Sequence, residues 1–186
     1  MLPIALGLTN WPIVLAGAGR AVGQRLALLD EAGGAHVSVF APDPDPAFRA
    51  AAGARLRERL PSSEEIGTAR LVLLAGLSKQ DTIRLAEAAR GHRCLLNVED
   101  DPAWCDFYMP SIVRRGGLVL SVSTGGASPA LAVRIRSWLG ERFGPEWASR
   151  LQEAAALRQA LRESGAPPAI VMAEVMALCD REGWLK

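Results

Sequence analysis

Lysine is nearly missing from this chain of 186 residues: of 21 basic residues only Lys79 and Lys186 are lysines, and all the others are arginines. A GC-rich coding bias would account for that and for the alanine load. The guanidinium fork also suits planar carboxylates and phosphates better than an ammonium group does. Histidine is scarce, at His36 and His92, too few for a histidine-rich metal site. The cysteines, Cys94, Cys105 and Cys179, are odd in number and show no Cys-x-x-Cys spacing, so neither a disulfide framework nor a thiolate metal site is expected. No apolar run approaches the roughly 18 residues of a membrane span. The start, Met1-Leu2-Pro3-Ile4, carries no charged signal-peptide region, so a cytoplasmic protein without membrane contact is the expectation. A formal net charge of +1 argues against a general nucleic-acid binder.

Hydrophobic residues make up 49% and charged residues 22%, a globular composition. The length allows one domain with a small appendage. Residues from Ser111 onward hold ten basic against seven acidic side chains, whereas the first 110 hold eleven against thirteen. A polyanionic small molecule would therefore favour the C-terminal half.

Pro12 to Ala16 is apolar throughout and predicts a strand that runs into Gly17-Ala18-Gly19. Val22, Leu26 and Leu29 then repeat at helical spacing, with Gly33-Gly34 as the stop. His36 to Phe40 predicts a second strand, ended by Ala41-Pro42-Asp43-Pro44-Asp45-Pro46. Strand, glycine turn, helix and strand pack as a right-handed parallel unit. Leu71 to Ala75 and Cys94 to Val98 predict further strands around a helix from Asp81 to Ala89, which together predict an α/β doubly wound sheet. After Asp101-Pro102 the pattern changes. Phe107 to Arg114 and Leu118 to Val122 read as two strands around Arg115-Gly116-Gly117. Ser128-Pro129 opens a helix whose apolar face is Leu131, Ile135, Trp138 and Leu139, and two more helices cover 146–163 and 168–182. Those last helices look too small for a core of their own, so packing on a second subunit is expected.

Gly17-x-Gly19-x-x-x-Gly23 follows a strand and opens a helix, the context of a dinucleotide site. Glycines let the backbone turn tightly and approach a pyrophosphate, whose charge meets free N–H groups at the helix start. A close strand-to-helix turn without ligand would use the same residues. Asp43 and Asp45 beyond the second strand, with no basic residue before Arg49, would repel a 2′-phosphate and favour NAD over NADP. Asn97-Val98-Glu99-Asp100-Asp101-Pro102 puts three successive carboxylates at the C-terminal end of a strand, where open α/β sheets bind ligands. One of them could serve as a general base, or the run could be a solvated, capped turn. Ser121 to Ser128 is a hydroxyl- and glycine-rich loop that offers donors to an anion, or only a helix cap. Cys105 has no histidine beside it, so a nucleophilic thiol is not expected.

These motifs in this order resemble the precorrin-2 dehydrogenase/sirohydrochlorin ferrochelatase family, the N-terminal module of siroheme synthases. The resemblance rests on Gly17-Ala18-Gly19, Val39-Phe40-Ala41-Pro42-Asp43, Leu96-Asn97-Val98-Glu99-Asp100, Phe107-Tyr108-Met109-Pro110-Ser111 and Val122-Ser123-Thr124-Gly125-Gly126-Ala127-Ser128-Pro129, across roughly residues 2 to 140. It implies a Rossmann-like parallel sheet that binds NAD over residues 1–113, a dimerisation region over 114–145 and a helical C-terminal segment over 146–186, assembled as an intertwined homodimer. It implies NAD-dependent oxidation of precorrin-2 to sirohydrochlorin, and in some members insertion of Fe2+ as a substrate, with no metal held by side chains. The catalytic role falls on Asp100. Cofactor contacts fall on Gly17, Gly19, Arg20, Ala21, Pro42 and Asp43, and tetrapyrrole contacts on Asn97, Thr124, Gly125 and Ser128. Thr124 stands where some members carry a serine that can be phosphorylated. The glycine loop is one residue longer than the usual Gly-x-Gly-x-x-Gly, and Ala75-Gly76-Leu77-Ser78-Lys79 departs from the small residues, threonine and acids of relatives. Other functions remain open on residues alone: an NAD-binding regulatory module without catalysis, or a small-ketone reductase. The latter's usual Tyr-x-x-x-Lys pair is missing, since Tyr108 is the only tyrosine.

Overall fold

A computed structural model describes residues 2–185 and divides the chain into two compact units, residues 1–108 and 109–186. In the first unit, strands β1 (Pro12–Gly17), β2 (His36–Phe40), β3 (Leu56–Arg57), β4 (Leu71–Ala75) and β5 (Leu95–Val98) form one parallel sheet in the order β3-β2-β1-β4-β5. The expected Rossmann-like sheet is therefore what forms, with its direction of winding reversing between β1 and β4. Burial on both faces explains why these strands are apolar runs rather than alternating ones. Ile13 and Leu15 of β1 face one layer with Val22, Leu26 and Leu29, while Val14 and Ala16 face the other with Ile66, Leu85 and Leu96.

Helix α1 (Gly19–Glu31) buries Val22, Leu26 and Leu29, the three residues whose spacing predicted it. Gly33 takes a left-handed φ of 76°, and the Gly34 N–H returns to the Leu29 carbonyl, which closes the helix. Helices α2 (Pro46–Ala52) and α3 (Ser63–Gly67) lie in a stretch that carried no sequence assignment. Helix α4 (Lys79–Gly91), wider than the predicted 81–89, is capped by the Ser78 hydroxyl on the Asp81 N–H.

In the second unit, β6 (Ser111–Arg115) and β7 (Leu118–Val122) pair as an antiparallel hairpin, with Arg115 opposite Leu118 across the turn at Gly116-Gly117. The first strand of this hairpin begins later than Phe107. The Phe107 carbonyl is taken by the Asn97 side chain, and Pro110 has no N–H to give a ladder. Helix α5 (Pro129–Arg142) starts at the Ser128 cap and packs on the hairpin, where Arg115 donates to the carbonyls of Gly140 and Phe143. Its predicted apolar face is half exposed, with Leu131 at 51% and Trp138 at 60% exposure. Helices α6 (Trp147–Glu163) and α7 (Pro168–Arg181) form an antiparallel pair in which Val171 and Leu178 are buried.

Candidate functional site

The turn from β1 into α1 is shaped by glycine in two different ways. A Cβ on Gly17 would overlap the Ala75 carbonyl oxygen and lie 2.8 Å from the Val22 Cβ, so only glycine lets β1 pass this close to β4. Gly19 has a φ of 61° and open space in front of it. The Ala18 N–H donates to the Ala75 carbonyl at 3.0 Å. From the other side Gly76, with a φ of 65°, leaves no room for a Cβ beside the Ala18 carbonyl. The two loops at the sheet's reversal point are thus pressed together, backbone on backbone. No side chain caps α1, so its leading N–H groups face the space in front of Gly19. A groove beside it is lined by Ala18, Gly19 and Val22 on one side and by Ala41, Asp43, Pro44, Asp45 and Phe48 on the other. A cradle that excludes side chains, and an uncapped helix start above it, fit a dinucleotide pyrophosphate.

The predicted cofactor residues Gly17, Gly19, Ala21, Pro42 and Asp43 all lie on the β1–α1 turn or just beyond β2, and Arg20 is exposed on the first turn of α1. Asp43 is exposed at the groove. Asp45 lines the same groove and also starts the next helix: its carboxylate accepts the Phe48 N–H at 2.8 Å and caps α2. Arg49, the nearest cation in sequence, is engaged by Glu58, with Nε and Nη2 each 2.9 Å from a carboxylate oxygen. Those bonds hold the Glu58 carboxyl below its usual range.

Asp100 lies two residues past β5, at the same C-terminal edge of the sheet, and is exposed. Its φ of 58° makes it one of two non-glycine residues in the left-handed region among those described, the other being Arg93. Glu99 donates its N–H to the Leu74 carbonyl, so the carboxylate run leaves the sheet only at Asp100. Asn97 is buried, at 4% exposure. Its amide N–H reaches the Phe107 carbonyl at 2.9 Å and its Oδ1 has no partner. The residue expected to meet substrate thus also ties β5 to the returning chain.

That returning chain is what sequence reasoning missed. The outward edge of β5 presents Leu96 and Val98. The Asp106 carboxylate accepts the Leu96 N–H at 2.9 Å and the Asp106 N–H donates to the Leu96 carbonyl at 2.8 Å. The Cys105 sulfur accepts the Val98 N–H at 3.3 Å, while its S–H is directed to the carbonyls of Val98 at 3.1 Å and Asp101 at 3.4 Å. Arg90 of α4 stacks over Trp104 at 4.1 Å and donates to the Ala103 carbonyl at 2.8 Å. No period in the sequence signals an edge closed by side chains.

Thr124, Gly125 and Ser128 lie in the second unit. Thr124 Oγ1 donates to the Ser128 carbonyl and accepts the Ser128 N–H, and the Ser128 hydroxyl caps the Leu131 N–H. Gly125 and Gly126 have φ of 64° and 84°, which any other residue would adopt only under strain. Among the described residues no His, Cys, Asp and Glu cluster could hold a metal, and no helix is long and apolar enough to cross a membrane.

The family described as "Putative NAD(P)-binding" matches residues 4–111. The chain is 33% identical over 166 residues to a siroheme synthase of Methylococcus capsulatus, covering 88% of this chain and 35% of that protein. It is 37% identical over 145 residues to a siroheme synthase of Nitrosospira multiformis, covering 74% of this chain and 30% of that one. It therefore spans about a third of the length of these relatives. In fold it is similar to a solved structure titled "SirC, precorrin-2 dehydrogenase", with a TM-score of 0.79 at 20% identity, covering 100% of this chain and 93% of that one. With the dinucleotide cradle at the β1–β4 reversal in place, the chain belongs to the NAD(P)-binding family and is the counterpart of the siroheme synthase N-terminal module.

Proposed function

We propose that this chain oxidises precorrin-2 to sirohydrochlorin, with Asp100 as the general base. The observation that carries the reading is the shared sheet edge. The β1–α1 cradle and Asp100 both lie at the C-terminal ends of parallel strands, the edge where open sheets of this kind bind ligands. Bound NAD+ would supply the hydride acceptor. The chain's own residues then do three things. The Gly17–Ala21 turn holds the pyrophosphate, Asp43 takes the ribose hydroxyls and disfavours a 2′-phosphate, and Asp100 receives the proton released as the macrocycle loses hydride. No covalent nucleophile is required.

Asn97, Thr124, Gly125 and Ser128 are the residues we assign to the tetrapyrrole, a polycarboxylate that the arginine-rich composition suits. Residues 1–113 are the nucleotide domain in this reading, 114–145 the dimerisation region and 146–186 a helical segment, in a cytoplasmic homodimer. The half-exposed Leu131 and Trp138 support that assembly, because a partner would cover them. Fe2+ would enter as a second substrate, delivered to the pyrrole nitrogens. Incubation with NAD+ and precorrin-2 should produce the sirohydrochlorin absorption spectrum. NAD+ binding with no spectral change would instead leave a regulatory nucleotide module, and a monomer at micromolar concentration in sedimentation would remove the dimer.

A further inference from the structure

We propose that Cys105 is a positioning residue for Asp100, a clasp that fixes the loop carrying the base; the proposal rests on the reading of Asp100 given above. Asp100 occupies a left-handed conformation that L side chains rarely adopt, and such a conformation persists only where its surroundings over-determine it. The thiol touches the backbone on both sides of it. Sγ accepts the Val98 N–H two residues before Asp100, and the S–H points to the carbonyl of Val98 and to that of Asp101, the next residue. The Asn97 amide adds a long contact to the same sulfur at 3.6 Å. The far end of the loop is pinned separately by Arg90 on Trp104 and on the Ala103 carbonyl. One atom that both donates and accepts therefore stands where a strand would supply two groups. Without it, Val98 keeps two unpaired backbone groups at the sheet edge, and the turn is free to leave the conformation that aims the carboxylate.

Cys105→Val keeps the approximate shape and removes both functions, whereas Cys105→Ser keeps a donor and an acceptor. Cys105→Val is expected to lower kcat for precorrin-2 about tenfold or more, with KM for NAD+ within about twofold of wild type, because a misaimed base costs turnover rather than cofactor binding. Cys105→Ser should recover most of that loss. In an Asp100→Asn background the valine substitution should cost less than about twofold further, since a clasp has nothing left to aim. Amide hydrogen exchange at Val98 should quicken in Cys105→Val while Leu95, whose N–H donates to the Arg70 carbonyl, and Glu99, whose N–H donates to the Leu74 carbonyl of β4, stay protected. Full kcat in the folded Cys105→Val protein overturns the proposal. So does an equal loss in both backgrounds, or unchanged exchange at Val98. If the valine variant does not fold, Cys105→Ala is read against the same outcomes. Wild-type turnover by Asp100→Asn alone removes the base assignment and the clasp with it, while an inactive Asp100→Asn beside a fully active Cys105→Val removes the clasp only.

Discussion

Three glycines of the first unit, two at the nucleotide cradle and one at the far end of α1, separate two costs that are usually entangled. Gly17 has no room for a Cβ but an ordinary φ. Gly33 has a φ of 76° with nothing within 4 Å of a Cβ. Gly76 has both problems at once, a φ of 65° and the Ala18 carbonyl where its Cβ would go. Gly33→Ala should therefore cost only the left-handed penalty, about 1–2 kcal/mol. Gly17→Ala should cost the overpacking penalty, about 1–3 kcal/mol, because both the Ala75 carbonyl and Val22 belong to rigid elements. Gly76→Ala should cost roughly the sum, about 2–5 kcal/mol, since the two terms have independent causes. At about 4 °C per kcal/mol for a domain of this size, the order in Tm loss is Gly76→Ala largest and Gly33→Ala smallest. Urea unfolding gives the free energies directly. Titration with NAD+ adds a second axis: Gly17→Ala and Gly76→Ala should weaken binding because they move the β1–α1 turn, and Gly33→Ala, at the far end of α1, should not. If Gly76→Ala is no worse than Gly33→Ala and binds NAD+ as wild type does, the two loops are not pressed together and the cradle is wrongly described.

The remaining expectations concern charge. NAD+ should bind at least about tenfold tighter than NADP+, about 1.4 kcal/mol, by calorimetry; Asp43→Asn should narrow the gap, and adding Glu58→Gln should narrow it further by releasing Arg49, with equal affinities in wild type refuting the reading. Asp100→Asn should keep NAD+ binding and lose about 10²–10⁴ in turnover, whereas Glu99→Gln and Asp101→Asn should lose less than about tenfold in the same assay. Arg59 and the Ser62 N–H lower the Glu65 carboxyl from 4.5 to about 2, so the stability this group contributes is present above about pH 4.5 and disappears as pH falls toward 2. Glu65→Gln should flatten that part of the Tm-against-pH curve, by about 1 kcal/mol at most because the pair is exposed, and an unaltered curve would refute it.

Much of the first unit was legible because its signals are periodic. Val22, Leu26 and Leu29 mark the buried stripe of α1, His36–Phe40 was bounded to the residue by the turn chemistry on either side, and Leu71–Ala75 by its apolar run. The stretch from 46 to 70 was not read because its helices have seven and five residues, too short for a period to show. Their caps were nevertheless present, Asp45 before Pro46 and a Ser62–Glu65 capping box. The place of Asp100 just past a strand end, at the C-terminal edge of the sheet, was legible from the sequence. What was not legible was how that edge is held, since Cys105 and Asp106 act through contacts that no spacing rule relates to β5. The capping role of Asp45 was hidden for a related reason, because a carboxylate after a strand looks alike whether or not it also caps the next helix.

The closure of β5 by Cys105 and Asp106 has a consequence for solubility. An outer strand with free N–H and C=O groups is a template for intermolecular pairing and aggregation. Here both outward-facing residues of that strand, Leu96 and Val98, have N–H and carbonyl alike occupied by a carboxylate, an amide and a thiol of the same chain. The sheet therefore ends in groups that cannot be extended by a neighbouring molecule without first being displaced. Oxidation or alkylation of one sulfur would uncover two backbone groups at once and turn a closed edge into an adhesive one.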